Sequence, residues 1–303
     1  MNHIKNNVTL VVSSCDKYED AWYPYFSLIK KFWKNHPDRI ALITETKSYS
    51  CDGLSISVFN TKSQSATWSE RLYACLDSLG TEYIIFSLED FFLLDNVNEN
   101  ALEQCYEWME SDHNIAVCRL CSSEDKNLKK SDKYGEFRIA DKTVGYRLDT
   151  QAALWRRKDL MSFIDLKENP WQFEEDGTKR IENSEKLFLW HYCETLDNLD
   201  NRVFPYQIFQ KYGYGIAWGQ WLWKNKEWFA KNDIQDVNYR RLGSLSRKAV
   251  FDRFNHLYSP KKTRFDKIRA PFWRMGIRIK KVRQNILTLG LKRGIKESWN
   301  SIK

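Results

Sequence analysis

Short apolar runs alternate with helix-period segments through the first part of the chain. Runs rich in aliphatic and β-branched residues predict buried strands, and segments with apolar residues three or four positions apart predict amphipathic helices. The predicted strands are 8–14, 39–44, 54–59, 83–88 and 114–121, and the predicted helices are 18–35, 68–79 and 99–111. This alternation predicts an α/β fold with a mostly parallel sheet flanked by helices.

The pattern is less regular after residue 121. The predicted elements are a β-hairpin from 137–140 and 143–148, helices over the first part of 148–180 and over 181–195, and short strands at 202–206 and 212–217. The pair Asn169-Pro170 is expected to break the first of these helices, because a residue before proline is biased away from helical backbone. Residues 220–303 are expected to be mainly helical.

Two adjacent carboxylates follow the most apolar of the predicted strands. Glu89 and Asp90 stand between Tyr83–Leu88 and a second apolar run, Phe91–Leu94. An unpaired buried charge is costly, and ligands of open α/β sheets bind at the carboxyl ends of strands. Carboxylates there can hold a divalent cation, which in turn binds phosphate oxygens. The alternative is a capped turn, in which one of the two acids accepts backbone N–H bonds at a helix start.

Composition allows a sizeable core and argues against a secreted or membrane-spanning protein. Of the 303 residues, 42% are hydrophobic and 15% aromatic, yet no apolar run approaches the length of a membrane span. The N-terminal segment lacks signal-peptide architecture. The seven cysteines are scattered and odd in number, which indicates reduced thiols. We therefore expect a cytoplasmic protein.

Common cofactor motifs are absent or isolated. The chain contains no GxGxxG and no GxxxxGK[ST], so it lacks the dinucleotide fingerprint and the P-loop. Cys118 and Cys121 form a lone CxxC within a strand-like run, and we interpret them as buried small residues. His191 and Cys193 lie in a segment with a helical pattern and are interpreted as structural.

Positive charge is concentrated at the C-terminal end. Residues 260–303 contain 14 Lys and Arg against two acids, whereas the other 259 residues carry a formal charge of −4. Apolar residues interleave with the basic ones at helical spacing, as in amphipathic helices that lie on an anionic membrane surface. A helix packed on a partner protein or on its own domain is the alternative. Nucleic acid is not an expected partner, because no nucleic-acid motif precedes the tail.

Four segments of the chain, taken in order, resemble the GT-A-type glycosyltransferases encoded in bacterial capsule and lipopolysaccharide loci. They are VVSSCDKYEDAWYPYF, TWSERL, LEDFFL, and QAALWRR followed by NPWQFE. The resemblance implies a GT-A-like, Rossmann-like domain over residues 1–220, with a nucleotide-sugar half that ends near residue 97 and an acceptor half over 98–220. A helical C-terminal region, 221–303, follows it and includes the basic amphipathic tail.

The resemblance implies a donor-binding role for five residues. Ser13, Ser14 and Asp16 would lie beside the base and ribose of a nucleotide-sugar. Trp68 and Arg71 would approach the nucleotide or its diphosphate. For each there is a structural alternative: Trp68 could be a core aromatic, Arg71 a surface helix residue, and Asp16 an ordinary helix cap.

The resemblance also implies a metal site and a catalytic base. Glu89 and Asp90 occupy the place of the family's Asp-x-Asp motif, which implies a divalent cation, Mn²⁺ or Mg²⁺. Residues Leu88 and Phe92 depart from a strict Asp-x-Asp, so metal dependence stays open. Glu174 matches the position where the fold often has its catalytic base, although the acids that follow Phe173 could be only a charged turn.

These features together predict a hexosyltransferase-like glycosyltransferase. It would move a sugar from a nucleotide-sugar, a UDP-sugar by preference, to a lipid-linked or growing surface polysaccharide. Such chemistry needs stabilisation of the leaving diphosphate and, in an inverting enzyme, a carboxylate that takes the acceptor proton. The protein would be peripherally associated with the inner face of the cell membrane. The alternative is a non-catalytic, membrane-attached scaffold of a polysaccharide assembly complex.

Overall fold

The computed structural model describes residues 2–63, 65–197, 202–207 and 212–258. The chain divides into two compact units, 1–250 and 251–303. Of the second unit, only residues 251–258 are described, and they are helical. The first unit contains the sheet and every candidate site residue.

One eight-stranded sheet forms the centre of the described part of the first unit. Its strands are β1 (Val8–Ser13), β2 (Arg39–Thr44), β3 (Ile56–Asn60), β4 (Tyr83–Leu88), β5 (Ile115–Ser123), β6 (Phe137–Ile139), β7 (Ala153–Arg156) and β8 (Leu187–Tyr192). They lie in the order β3-β2-β1-β4-β7-β5-β8-β6. Strand β7 is antiparallel to both neighbours and β6 is antiparallel to β8, while the other four pairs are parallel. The prediction of a mostly parallel α/β sheet is confirmed.

Helices and a small second sheet complete the described chain. The helices are α1 (His3–Asn7), α2 (Glu19–Phe32), α3 (Trp68–Ser78), α4 (Glu99–Ser111), α5 (Arg157–Phe163), α6 (Pro170–Arg180), α7 (Asn225–Lys231), α8 (Tyr239–Leu242) and α9 (Arg247–Tyr258). The second sheet consists of β9 (Ile216–Ala217), β10 (Gln220–Leu222) and β11 (Ser244–Leu245). Among these helices, none has the length and apolar character required to cross a bilayer.

The core lies on both faces of the large sheet. Along β1, Leu10 and Val12 belong to one buried cluster, which also contains residues of α2 and α4. The residue between them, Val11, belongs to a second cluster with residues of α3 and α6. Successive side chains of a strand point to opposite faces, so a strand covered on both faces must be apolar throughout. This explains why these strands read as continuous apolar runs.

The predictions after residue 121 are partly wrong. Residues Ala153–Arg156 form β7 and Leu187–Tyr192 form β8, where we predict helices. The segment 143–148 contains no strand, and β6 pairs with β8 in place of forming a hairpin with it. Both misassigned strands are short apolar runs that periodicity cannot separate from buried helix. Their pairing with β4, β5 and β6 decides the conformation.

The C-terminal predictions also need correction. Residues 202–206 form no strand, and the segment is instead tied to the chain after β4 by bonds such as Leu94 N–H to the Pro205 carbonyl, 2.8 Å. Of the strand predicted at 212–217, only Ile216–Ala217 is extended. Strands β10 and β11 interrupt the helices after residue 220. The basic tail, 260–303, lies outside the described residues.

Candidate functional site

The carboxyl ends of β1, β4 and β5 meet at one edge of the large sheet. Ser13 at the end of β1 is in register with Leu88 at the end of β4. Because β7 runs antiparallel, its first residue, Ala153, lies at the same edge, between Phe86 of β4 and Arg119 of β5. The segments that follow or precede these positions contain the candidate site residues.

Trp68 joins the first turn of α3 to the end of β1. Thr67 and Glu70 form a capping box that fixes the start of α3. The indole Nε1 of Trp68 donates a hydrogen bond to Ser13 Oγ at 2.9 Å. The ring of Trp68 also packs on Phe173 of α6, with 5.4 Å between centroids. Trp68 is therefore half-buried. It packs against the core through Phe173 and also borders the sheet edge beside Ser13.

Asp16 links the segment after β1 to the segment after β2. Its carboxylate accepts backbone N–H bonds of 3.1–3.2 Å from residues 45–47 and a bond from the Thr46 hydroxyl at 2.5 Å. Burial acts to raise the pKa of Asp16, but these hydrogen bonds outweigh it and hold the pKa below its usual value. The Asp16 carboxylate thus holds the loop that follows β2. It does not cap α2, whose N-cap is Tyr18.

Arg71 lies inside the protein, so the interpretation of this residue as a surface helix residue is wrong. It is 8% exposed. Its Nη1 donates to the Ala66 carbonyl at 2.7 Å, and its Nη2 lies 3.6 Å from Glu45 Oε1. Within the described residues, Arg71 Nε has no hydrogen-bond partner. The guanidinium is therefore buried beside Glu45, one turn into α3 from Trp68.

Glu89 and Asp90 follow β4 and lack ion pairs in the part of the chain that the structure describes. Glu89 is 6% exposed, and Asp90 is half-buried. Burial raises the pKa of the Glu89 carboxyl well above its usual range, the charge of Asp90 raises it further, and Ser14 lowers it. Burial also raises the pKa of Asp90, although the Ile216 N–H, 3.2 Å from Asp90 Oδ2, opposes the shift.

Gly215, the residue before β9 of the small sheet, lies close to the Asp90 backbone. Gly215 has φ +87°, and a Cβ at this position would lie 3.2 Å from the Asp90 carbonyl oxygen. This backbone conformation is rare for residues with a side chain. Ser14, beside the two acids, accepts a 2.7 Å hydrogen bond from Trp22 Nε1. The acids are therefore held from two sides by backbone and side-chain contacts.

The donor set of Glu89 and Asp90 fits a divalent cation. Among the described residues, no third His, Cys, Asp or Glu joins them as a cluster. Mg²⁺-like cations commonly use one or two carboxylates and take their remaining ligands from water and phosphate. The capped-turn alternative is wrong about a helix start, because the next helix, α4, begins at Glu99 with Asn98 as its cap. Residues 89–90 do form a turn, and Asp90 accepts the backbone N–H of Ile216.

Glu174 lies on the second turn of α6 and has one oxygen free. Asn169 and Gln172 form a capping box around Pro170, so the predicted helix break is also the start of a new helix. Glu174 Oε1 accepts bonds from Thr150 N at 2.9 Å and Thr150 Oγ1 at 2.6 Å. Within the described chain, no residue donates to Oε2. Burial raises the pKa of Glu174, and the two Thr150 bonds lower it in part.

A buried ion pair that sequence analysis missed supports Thr150. Arg119 Nε donates to Asp149 Oδ2 at 2.6 Å, and Arg119 Nη1 donates to the Cys121 carbonyl at 3.0 Å. The guanidinium also lies over the Trp190 ring, 4.4 Å from its centroid. The pair fixes the turn that presents Thr150 to Glu174. The available signal was a lone arginine within an otherwise apolar strand.

Tyr206 joins the acidic segment after β4 to the turn before β7. Its ring stacks on Phe91 with 4.4 Å between centroids. Its hydroxyl donates to Gln151 Oε1 at 3.0 Å and accepts from Ala152 N at 2.9 Å. Together with the Trp68–Phe173 contact, this places the predicted donor, metal and base residues along one edge of the sheet.

The other motifs have structural roles. Cys118 and Cys121 are buried free thiols, as predicted. His191 is buried, and its Nδ1 lies 2.9 Å from Ser122 Oγ. Burial and the nearby Arg202 lower the pKa of His191 to about 4, so it is neutral at pH 7.

No protein-family model and no curated protein matches this sequence. Solved structures with a similar fold include S. aureus TarS 1-349 (12% identity, 61% of this chain and 57% of that chain, TM-score 0.39). A cytidylyltransferase from Leptospira borgpetersenii is also similar (11%, 63% and 76%, TM-score 0.37). A third is glucosyl-3-phosphoglycerate synthase from Mycobacterium tuberculosis in complex with Mn²⁺ and uridine-diphosphate-glucose (9%, 61% and 67%, TM-score 0.35).

These likenesses are distant and concern the arrangement of the chain only. The chain spans 57% of the TarS fragment and 65% of the similar chain described as a mycobacterial protein.

Replacing Glu89 by Gln should stabilise the protein, more at pH 8 than at pH 5. A carboxyl whose folded pKa is raised keeps its full contribution below its unfolded pKa and loses stability as pH rises through the folded pKa. Because Gln does not ionise, we expect a gain of roughly 1–3 kcal/mol at pH 8, measured by urea unfolding at both pH values. Exposed Glu175→Gln is the control, with little expected change. An equal effect of Glu89→Gln at both pH values would contradict a raised pKa of Glu89 in the folded protein.

Proposed function

We propose that the protein is a glycosyltransferase that moves a sugar from a nucleotide-sugar to a saccharide acceptor. The observation that carries this proposal is the position of Glu174. Within the described residues no group donates to its second carboxylate oxygen, and it lies along the same sheet edge as the acids Glu89 and Asp90. Proton acceptance and binding of a phosphate-bound cation are the two requirements of this reaction that carboxylates can meet.

The donor half of the site is formed by residues after β1 and β4 and at the start of α3. Ser13 and Trp68 would lie beside the nucleotide, with Ser14 and Asp16 shaping the adjacent loops. Arg71 would contribute positive charge toward the diphosphate. Glu89 and Asp90 would hold a divalent cation, Mn²⁺ or Mg²⁺, which supplies further positive charge to the leaving diphosphate. We propose a UDP-sugar as donor on the basis of the sequence resemblance.

The acceptor half is organised around Glu174. Thr150 occupies Oε1 with two hydrogen bonds, so Oε2 is the oxygen that would take the proton from the acceptor hydroxyl. Burial raises the pKa of this carboxyl, which makes it a better proton acceptor than an exposed glutamate. A base at this position corresponds to an inverting reaction.

The sequence of the tail supports a membrane location for this reaction. Its 14 basic residues, interleaved with apolar ones, match a segment that binds an anionic lipid surface. We therefore propose that the protein is peripherally attached to the inner face of the cell membrane. Its acceptor would be a lipid-linked or growing surface polysaccharide of the capsule or lipopolysaccharide type.

Replacing Glu174 by Gln should lower turnover by about 10²–10⁴-fold, the usual contribution of general base catalysis. Donor affinity should change little, because Glu174 lies on the acceptor side. The measurement is donor-dependent release of nucleoside diphosphate, together with donor affinity by calorimetry. Glu182→Gln, at an exposed position beyond the end of α6, is the control and should retain activity. Unchanged turnover in Glu174→Gln would remove Glu174 as the base.

The pH profile supplies a second test of the same assignment. The rate should fall on the acid side at a pH above the usual carboxyl pKa, because the base must be ionised. Thr150→Val removes the hydroxyl that lowers the pKa of Glu174, so the acid limb should move to higher pH. Thr150→Ser retains the hydroxyl and should restore the original limb. An acid limb that is the same in all three proteins would contradict this role of Thr150.

Deleting residues 260–303 should release the protein from anionic vesicles in a flotation assay. Each basic residue near such a surface contributes about 1 kcal/mol, so the intact chain should bind and the shortened chain should not. Neutral phosphatidylcholine vesicles are the control and should bind neither protein. Continued binding of the shortened chain to anionic vesicles would place the membrane contact elsewhere.

A further inference from the structure

Trp171 has an unusual position for a tryptophan. It is 72% exposed, and the next most exposed tryptophan of the described residues, Trp218, is 36% exposed. Large aromatic side chains normally bury most of their surface, because burial of their area is strongly favourable. A largely exposed indole is therefore a candidate contact for a ligand. The residues around it indicate which type of ligand it would bind.

The helix phase places Trp171 beside Glu174. On an α-helix, residues three and four positions apart are surface neighbours, whereas residues two apart face different sides. Trp171 is three positions before Glu174 and four before Glu175. Phe173, two positions away, is buried against Trp68. The exposed indole thus lies on the outward side of α6, and Trp171 and Glu174 are neighbouring positions on the helix surface.

Side-chain hydrogen bonds fix the first turn of α6, so the backbone that carries the Trp171 indole has a defined conformation. Asn169 Oδ1 accepts from Gln172 N at 3.0 Å, and Gln172 Oε1 accepts from Asn169 N at 3.0 Å. Glu168, just before the cap, accepts two bonds from Arg180, of 2.8 and 2.9 Å. A contact residue on a rigid element loses little conformational entropy on binding.

The charges around Trp171 argue for a neutral, hydroxyl-rich ligand. Asp176 is paired with Lys179 at 2.9 Å, which leaves Glu174 and Glu175 as the acids that neighbour Trp171 on α6. These acids repel anionic lipid and phosphate, but they accept hydrogen bonds from hydroxyl groups. A pyranose ring combines hydroxyl groups on its edge with an apolar C–H face, which complements a flat indole.

We propose that Trp171 is a stacking platform for the pyranose ring of the acceptor. This inference rests on the proposed function, since it takes Glu174 as the group that receives the acceptor proton. A hydroxyl that gives its proton to Glu174 must come within about 3 Å of Oε2. The ring that carries the hydroxyl then lies over the flank that Trp171 occupies.

Fluorine NMR of the full chain labelled with 5-fluorotryptophan tests the contact without any need for activity. The Trp171 resonance is assigned as the one missing in Trp171→Phe. We expect saturable shifts of this resonance during titration with one or more of a panel of methyl hexopyranosides and their 2-acetamido forms. Absence of a shift with every glycoside would overturn the proposal. A shift only with anionic vesicles, or only on deletion of 260–303, would identify lipid or the tail as the occupant and would also overturn it.

Kinetics with the glycoside that shifts the resonance most provide the second readout. Trp171→Ala should raise the acceptor KM by about tenfold, equivalent to one lost contact of moderate strength, while the donor KM stays unchanged. Trp171→Phe should restore most of the loss, because it keeps an aromatic face. Tyr146→Ala is the control, since Tyr146 is an exposed aromatic outside α6.

The two readouts separate failure of this inference from failure of the proposed function. Active wild-type protein with an unchanged acceptor KM in Trp171→Ala would overturn the platform alone. Absence of transfer with every donor would overturn the proposed function, whereas the fluorine titration would still show whether the indole binds sugar.

Discussion

The buried ion pair between Arg119 and Asp149 is the interaction on which the candidate site depends. It joins Arg119, in the middle of β5, to the turn that leads into β7. Removal of one partner of a buried pair leaves an uncompensated charge and typically costs several kcal/mol. The pair therefore imposes one conformation on the turn, and Thr150 in that turn fixes the orientation of Glu174. A charge contact inside the sheet thus supports the turn whose Thr150 holds one carboxylate oxygen of Glu174.

Glu89 and Asp90, at the same edge of the sheet, differ from the Arg119–Asp149 pair because no opposite charge compensates them within the described residues. They are acids at the end of a central buried strand, and no ion pair involves them in the described part of the chain. Such an arrangement lowers stability, because ionisation is disfavoured where water is excluded. Proteins keep unfavourable groups of this kind mainly at functional sites. The contrast between a compensated pair and an uncompensated pair separates the supporting part of the site from the part that would meet a ligand.

Much of the fold could be predicted from sequence because β1, β2 and β4 are buried on both faces. Their apolar runs are continuous, and the helices between them show clear helical spacing. Strands β7 and β8 could not be predicted in this way, since short apolar runs such as Ala153–Arg156 fit a helix as well as a strand. Only their neighbours in the sheet decide between the two. The inserted antiparallel strand β7 is a property of the tertiary structure.

Individual residues of the candidate site could be proposed from the sequence, but their hydrogen-bond partners could not. Acids at a strand end pointed to Glu89 and Asp90, and the family resemblance pointed to Glu174. The partners of these residues lie far away in sequence: Ile216 is 126 positions from Asp90, and Thr150 is 24 positions from Glu174. Periodicity and local motifs carry no information about such pairs. Trp171 illustrates the same limit, because its sequence context does not distinguish an exposed indole from a core residue.

In the proposed function, this sheet edge binds a nucleotide-sugar through a cation held by Glu89 and Asp90. The decisive measurement is thermal unfolding with a panel of nucleotides and nucleotide-sugars, with and without Mn²⁺. A ligand at 100 times its Kd stabilises the folded state by about 2.7 kcal/mol. We expect a saturable rise in Tm with a nucleoside diphosphate or its sugar, larger with Mn²⁺, and loss of the Mn²⁺ effect in Asp90→Asn. No rise in Tm with any nucleotide, with or without Mn²⁺, would mean that this edge of the sheet does not bind a nucleotide-sugar.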